Sequence, residues 1–222
     1  MIRDIKLGFR LLKYGLNAKS SIIPMGICII LGVIMDLLWF VGGFSNLFLG
    51  MGSMILIQQI HSITISTMVQ SSPYKKRLQT VIPTLVSGVY LLIAHTLCLI
   101  LRWISYEKAL NNTNPDFIII YAPGEYETGM LFTALLLVFI TLYTALSMKC
   151  FWLGSIIFIG SFMWFSNNAD RITYMIMPAW LAVILSYGII LLGCGITYLI
   201  FYVTYKREYS KPTFDMQLKR AK

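Results

Sequence analysis

Polar and ionisable side chains inside long apolar runs are the first residues to weigh, because each is costly in an apolar surround and must face protein or water. Asp36 is an acid in such a run, within a turn of Trp39. His61 and His95, the two histidines of the chain, lie in two further runs. Around His61 stand Ser53, Gln58, Gln59, Ser62, Thr64, Ser66 and Thr67, just after Gly50 and Gly52. Ser53 with His61, and Ser87 with His95, have the residue types of a nucleophile and its base. Each pair is eight residues apart, about 12 Å along a helix, so neither can hydrogen-bond within its own helix. The sequence has no HExxH and no GxSxG, and no Gly is followed by Lys, which a phosphate-binding P-loop requires. The chain is therefore expected to be no enzyme, and any use of ATP belongs to another polypeptide. His61 reads either as a neutral packing residue or as a gating or substrate-sensing group. Asp36 reads as a helix-pairing acid or as a wall of a substrate cavity, and His95 as structural.

These residues are positioned by apolar segments. Of 222 residues, 58% are apolar and 12% charged, against about 45–50% and 25% in water-soluble domains. A water-soluble fold is excluded, and an all-α membrane protein is expected, since the runs are continuous rather than alternating. Six transmembrane helices are predicted near 21–42, 46–69, 81–101, 129–148 and 151–166 and within 172–204, each near the 20 residues that cross about 30 Å of hydrocarbon. The fifth is short and the last is too long, so the stretch 164–180, broken at Pro178, is predicted to re-enter the membrane or to kink a tilted helix. The first apolar run is too long for a secretory h-region. Cys28, Cys98, Cys150 and Cys194 lie in or beside apolar stretches, without metal-site or disulfide spacing.

The net charge of +9 would raise nucleic acid as a partner, but its distribution points to the membrane instead. Fifteen of the 18 Lys and Arg fall on the side of both termini if the six spans hold, leaving Arg102, Lys108 and Arg171 opposite. Basic residues are retained inside during insertion, so the topology reads N-in, C-in. Residues 1–20 precede the membrane domain 21–204, with a cytoplasmic loop 70–80, an outer loop 102–128 and a basic tail 205–222. In 2–16, Ile2, Ile5, Phe9, Leu12 and Leu16 recur at helical spacing beside Arg3, Lys6, Arg10 and Lys13. An amphipathic helix lying in the interface is expected, with Leu7, Leu11 and Tyr14 leaving part of it for contact with protein. Ser71, Ser72 and Pro73 can start a short helix from Pro73 to about Thr80.

The interfacial helix, the six spans, the re-entrant stretch and the loop Ser72, Pro73, Tyr74, Lys75, Lys76, Arg77 together resemble the small bacterial permeases of ABC-type exporters of the second export class. In that family the ATPase is a separate protein. The resemblance implies residence in the bacterial cytoplasmic membrane and a coupling helix at Ser72 to Arg77. It also implies two copies of a partner ATPase carrying ATP and Mg, and a second permease subunit, identical or different. No cofactor is expected in this chain. The substrate would be amphipathic: a peptide, bacteriocin, drug or lipid. Its path would run along the second and fifth spans past Met54, Gln58, His61, Phe158, Phe162 and Trp164, with Asp36 nearby. Two other readings remain: a non-transporting immunity or sensor subunit, and an ion-coupled carrier or channel.

Overall fold

The computed structural model describes residues 2–14, 18–38, 43–64, 67–111, 124–168 and 176–210. Every regular element among them is an α-helix: α1 Ile2–Tyr14, α2 Ala18–Leu38, α3 Gly43–Thr64, α4 Thr67–Gln70, α5 Lys75–Gln79, α6 Val81–Asn111, α7 Glu125–Lys149, α8 Phe151–Asn168 and α9 Ala179–Thr204. Among the described residues, four stretches are long and apolar enough to cross a bilayer: Leu47–Thr64, Lys75–Ile104, Glu125–Lys149 and Ala179–Thr204. The apolar parts described in the other two long helices, Ile23–Ile34 and Phe151–Ser161, are shorter.

A long helix occupies each predicted span, with shifted ends. α6 continues past Arg102 to Asn111 because its last turns are still packed, Tyr106 stacking on Tyr126 of α7 at 4.8 Å. α9 begins directly after Pro178, whose extended backbone (φ −62°, ψ 136°) places its carbonyl to accept from the N–H groups of Leu181 and Ala182. A proline cannot continue a preceding helix without losing a backbone bond, which accounts for the break. Residues 112–123 of the outer loop, 169–175 of the predicted re-entrant stretch and the tail 211–222 lie outside the described residues.

The core is layered along the bundle. At its centre Leu49 of α3, Leu91 and Cys98 of α6, Ala134, Leu137 and Val138 of α7 and Ile190 of α9 pack together. Toward one end Tyr126, Met130 and Ala182 form a second cluster, and toward the other Ile57, Ala145, Met148 and Phe201 form a third. Glycines allow close approaches between helices, two of them at the centre of the bundle. A Cβ on Gly193 of α9 would overlap the Val138 methyls of α7, and one on Gly52 of α3 would overlap the Tyr90 ring, whose hydroxyl donates to the Leu49 carbonyl at 2.8 Å. Of the four membrane-length stretches, the one on α3 is the most enclosed and the one on α9 the least. The outward faces of α8 and α9 carry Trp152, Ile156, Leu192 and Val203, all largely exposed, as suits an apolar surround.

α1 forms within the expected stretch and docks on the bundle, Leu11 making the expected contact with protein. Asp4, Gly8, Leu11 and Leu12 turn inward, while Phe9 is 47% exposed. The reason is steric: Gly8 has no side chain, so α1 settles onto Val86 and Ile82 of α6 there, and Leu11 and Leu12 follow onto Leu56 and Ile60 of α3. Phe9 is thereby rotated away.

Candidate functional site

The loop between α3 and α6 lies at one end of the bundle and is built by local hydrogen bonds. The Ser72 hydroxyl accepts from the Tyr74 N–H at 3.2 Å and the Ser72 carbonyl from the Lys75 N–H at 3.0 Å, a turn that delivers the chain into α5. The helix thus starts two residues later than the Pro73 predicted, since the Ser72 turn consumes Pro73 and Tyr74. At the far end of α5 the Lys76 carbonyl takes both the N–H (3.0 Å) and the hydroxyl (2.7 Å) of Thr80. Gln79 and Thr80 are buried, whereas Ser71, Pro73, Tyr74, Lys76 and Arg77 are exposed.

Two of the exposed bases are nonetheless tied into the fold. One guanidinium nitrogen of Arg77 reaches both carboxylate oxygens of Asp4, at 2.7 and 2.9 Å, joining the loop to α1. That hydrogen bond holds the Asp4 carboxyl below its ordinary range, against the opposing pull of burial. The Lys76 ammonium sits 4.3 Å above the Tyr202 ring and 5.5 Å from that of Tyr205, joining the loop to the end of α9. Asp4 is the one acid in a basic leader, a signal the apolar periodicity of α1 obscured.

Beside the loop, the chain leaving α9 turns back across the ends of α3 and α7. The Tyr209 hydroxyl lies 2.6 Å from Thr64 Oγ1 and 2.9 Å from His61 Nδ1, while Thr64 Oγ1 donates to the His61 carbonyl at 2.9 Å. Because the single Thr64 proton is committed to that carbonyl, Tyr209 donates to Thr64 and accepts from His61. His61 therefore carries its proton on Nδ1, and its Nε2, which has no hydrogen-bond partner among the described residues, is left as a lone pair. Burial pushes the Tyr209 phenol up to about 12, with the Thr64 bond opposing in part, so the hydroxyl keeps its proton at neutral pH. The Lys149 ammonium donates to the Arg207 carbonyl at 2.9 Å and lies 3.7 Å above the Tyr209 ring.

Of the residues expected to line a path, the side chains of Met54, Gln58, His61 and Phe158 are described. His61 is fully buried between Phe201 (ring centroids 4.9 Å) and Tyr209. Met54 and Gln58 on α3 are half-buried. Phe158 packs on Phe139 (5.9 Å) and Tyr143 (4.7 Å) of α7, whereas α7 presents Thr141 to Ser53 of α3 at 3.0 Å. Residues 139 and 143 lie on the side of the helix opposite 141, so Phe158 and the α3 residues do not line a common space within one chain. The side chains of Asp36, Phe162 and Trp164 lie outside the described residues, although their backbones belong to α2 and α8. Much of the polar set of α3 turns inward: Ser53, Gln59, Ser62 and Thr64 are buried like His61. His95 bonds across helices, its Nε2 lying 2.8 Å from Ser186 Oγ of α9, and Thr96 meets the Tyr187 hydroxyl at 2.7 Å. Among the described residues no group of His, Cys, Asp and Glu is arranged to hold a metal.

Charge separates along the bundle. Arg3, Lys6, Arg10, Lys75, Lys76, Arg77, Lys149, Lys206 and Arg207 gather at the end carrying α1 and α5, with Asp4 and Glu208. At the other end Arg102 lies against Gly129 near Glu107, Glu125 and Glu127. The chain matches no family model, no curated protein and no solved structure.

Proposed function

We propose that this chain is the permease subunit of an ATP-driven exporter of the second ABC export class. It would move an amphipathic substrate across the cytoplasmic membrane through six N-in, C-in spans. The observation that carries this reading is the exposed turn of helix α5 on the basic end, with Arg77 bonded to Asp4 of α1 and Lys76 seated on Tyr202 of α9. A partner pressing on Tyr74 and α5 would move α1 and α9 with them, as an ATPase must do to drive a membrane domain. The segregation of basic side chains to that end supports its assignment to the inside. The apolar outward faces of α8 and α9 suit lipid or a second permease subunit.

In this scheme the chain hydrolyses nothing; two copies of a separate subunit bind ATP and Mg. Purification of the tagged protein from its own membranes in mild detergent should recover a nucleotide-hydrolysing chain at one copy per permease. Joint replacement of Lys75, Lys76 and Arg77 by Ala should abolish both that recovery and substrate-stimulated hydrolysis. Recovery of an intact, stimulated complex with the triple variant would refute the coupling assignment.

A further inference from the structure

We infer that residues 205–210 form a releasable strap that closes the basic end of the bundle, with Tyr209 as its bolt and Lys76 of α5 as its tether. Residues 205–210 lack regular structure after the turn in which the Arg207 N–H donates to the Thr204 carbonyl at 2.9 Å. Its attachment to the bundle consists of side-chain and isolated backbone bonds. The Ser210 N–H donates to the Met148 carbonyl at 3.2 Å and the Ser210 hydroxyl to the Ser147 carbonyl at 3.3 Å. Lys149 grips the Arg207 carbonyl, and Arg207 Nη1 reaches Cys150 Sγ at 3.5 Å.

The bolt itself is the closed relay from His61 Nδ1 through Tyr209 to Thr64 and back to the His61 carbonyl, in which each bond polarises the next. Tyr209 also packs against the cluster of Ile57, Ala145, Met148 and Phe201, so it fills the gap where α3, α7 and α9 end. Withdrawing it opens that gap without breaking any helix. Such an element has two discrete states, bolted and free, rather than a continuous range.

The route for release is on the same surface. Lys76 lies over Tyr202 and Tyr205, and Tyr205 is the first residue of the strap, directly after α9. Displacing α5 therefore pulls at the root of the strap. That α5 is moved by an ATPase rests on the function proposed above; the strap and its tether do not.

The test needs no partner and no substrate. In protein whose Cys28, Cys98 and Cys194 are replaced by Ala, Cys150 reports on the strap through its reaction with a membrane-impermeant maleimide in inside-out vesicles. The parent should label slowly. Tyr209→Phe, which keeps the ring and removes the hydroxyl relay, should label about tenfold faster, the factor expected from the loss of roughly one net hydrogen bond. Thr64→Val, which removes the other anchor, should behave alike. Lys76→Gln should give a smaller rise. A second parent keeping only Cys194, which is half-buried beside Gly88 in the middle of α9, away from the basic end, should stay unlabelled in every variant. Equal Cys150 rates in parent, Tyr209→Phe and Thr64→Val would overturn the strap, as would labelling of Cys194 in parallel, since that reports general loosening. A rise with Tyr209→Phe but none with Lys76→Gln would overturn the tether.

Discussion

Asp4 places one negative charge among Arg3, Lys6 and Arg10, and its partner Arg77 lies 73 positions away in sequence. Its carboxyl is more acidic in the fold than the ordinary 3.8. The pair's contribution to docking α1 is therefore fully present above that ordinary value and is lost as pH falls through the lower folded one. Asp4→Asn should accordingly loosen α1 at neutral pH, seen as faster proteolysis within residues 2–14, while the parent should loosen only under acid conditions. The swap Asp4→Arg with Arg77→Asp should restore protection; its failure would show that Asp4 acts by packing alone. His95 gives the contrasting case. Sequence could say that it was structural and unable to meet Ser87 on its own helix, but not that Ser186 of α9 would receive it. Ser186 Oγ donates to the Val183 carbonyl at 2.8 Å and so accepts from His95 Nε2. Pairing across helices is a property of packing, and no single-chain periodicity encodes it.

At the scale of elements, apolar length located the six long helices, because the cost of unpaired backbone in hydrocarbon demands helix wherever the run is continuous. Their ends were less legible. α6 outlasts its apolar stretch since Tyr106 still has Tyr126 to stack on, and α5 starts late because the Ser72 turn takes precedence over the proline. The docking of α1 was legible only in part: contact of Leu11 with protein could be expected, but the approach is centred on Gly8, a residue that adds nothing to an apolar stripe. Glycine carries the packing of α9 too, and unequally. Gly193→Leu must displace Val138 and should cost about 1–3 kcal/mol, measured as reduced thermal stability of the detergent-purified protein. Gly188→Leu, where a Cβ would meet nothing within 4 Å, should leave stability within a few tenths of that of the parent. Equal losses at the two sites would mean that α9 is not seated on α7 through Gly193.

For the molecule as a whole, the charge pattern read along the chain becomes a shape: α1, α5 and the ends of α7 and α9 converge on one basic surface, and the acids near Glu125 and Glu127 lie at the opposite end. Epitopes inserted at Ser71 and after Ser210 should both be protected in intact cells and both become accessible in inverted vesicles, as the proposed N-in, C-in arrangement requires. Opposite accessibility of the two would remove it. Of the proposed functional face, the basic loop could be named from sequence because its residues are contiguous. Tyr202, Tyr205, Tyr209 and Lys149 were not, since they gain meaning only when the chain beyond α9 folds back under α3 and α7.

That fold-back also sets an order in time. Residues 205–210 leave the ribosome after every described helix, so His61, Thr64 and Lys149 must wait through the synthesis and insertion of α9 before Tyr209 and the Arg207 carbonyl reach them. Until then the ends of α3 and α7 lack the partners that Tyr209 and the Arg207 carbonyl supply. A nascent chain halted between α7 and α9 thus differs chemically from a finished one at this spot, and sealing by Tyr209 marks the completion of the bundle.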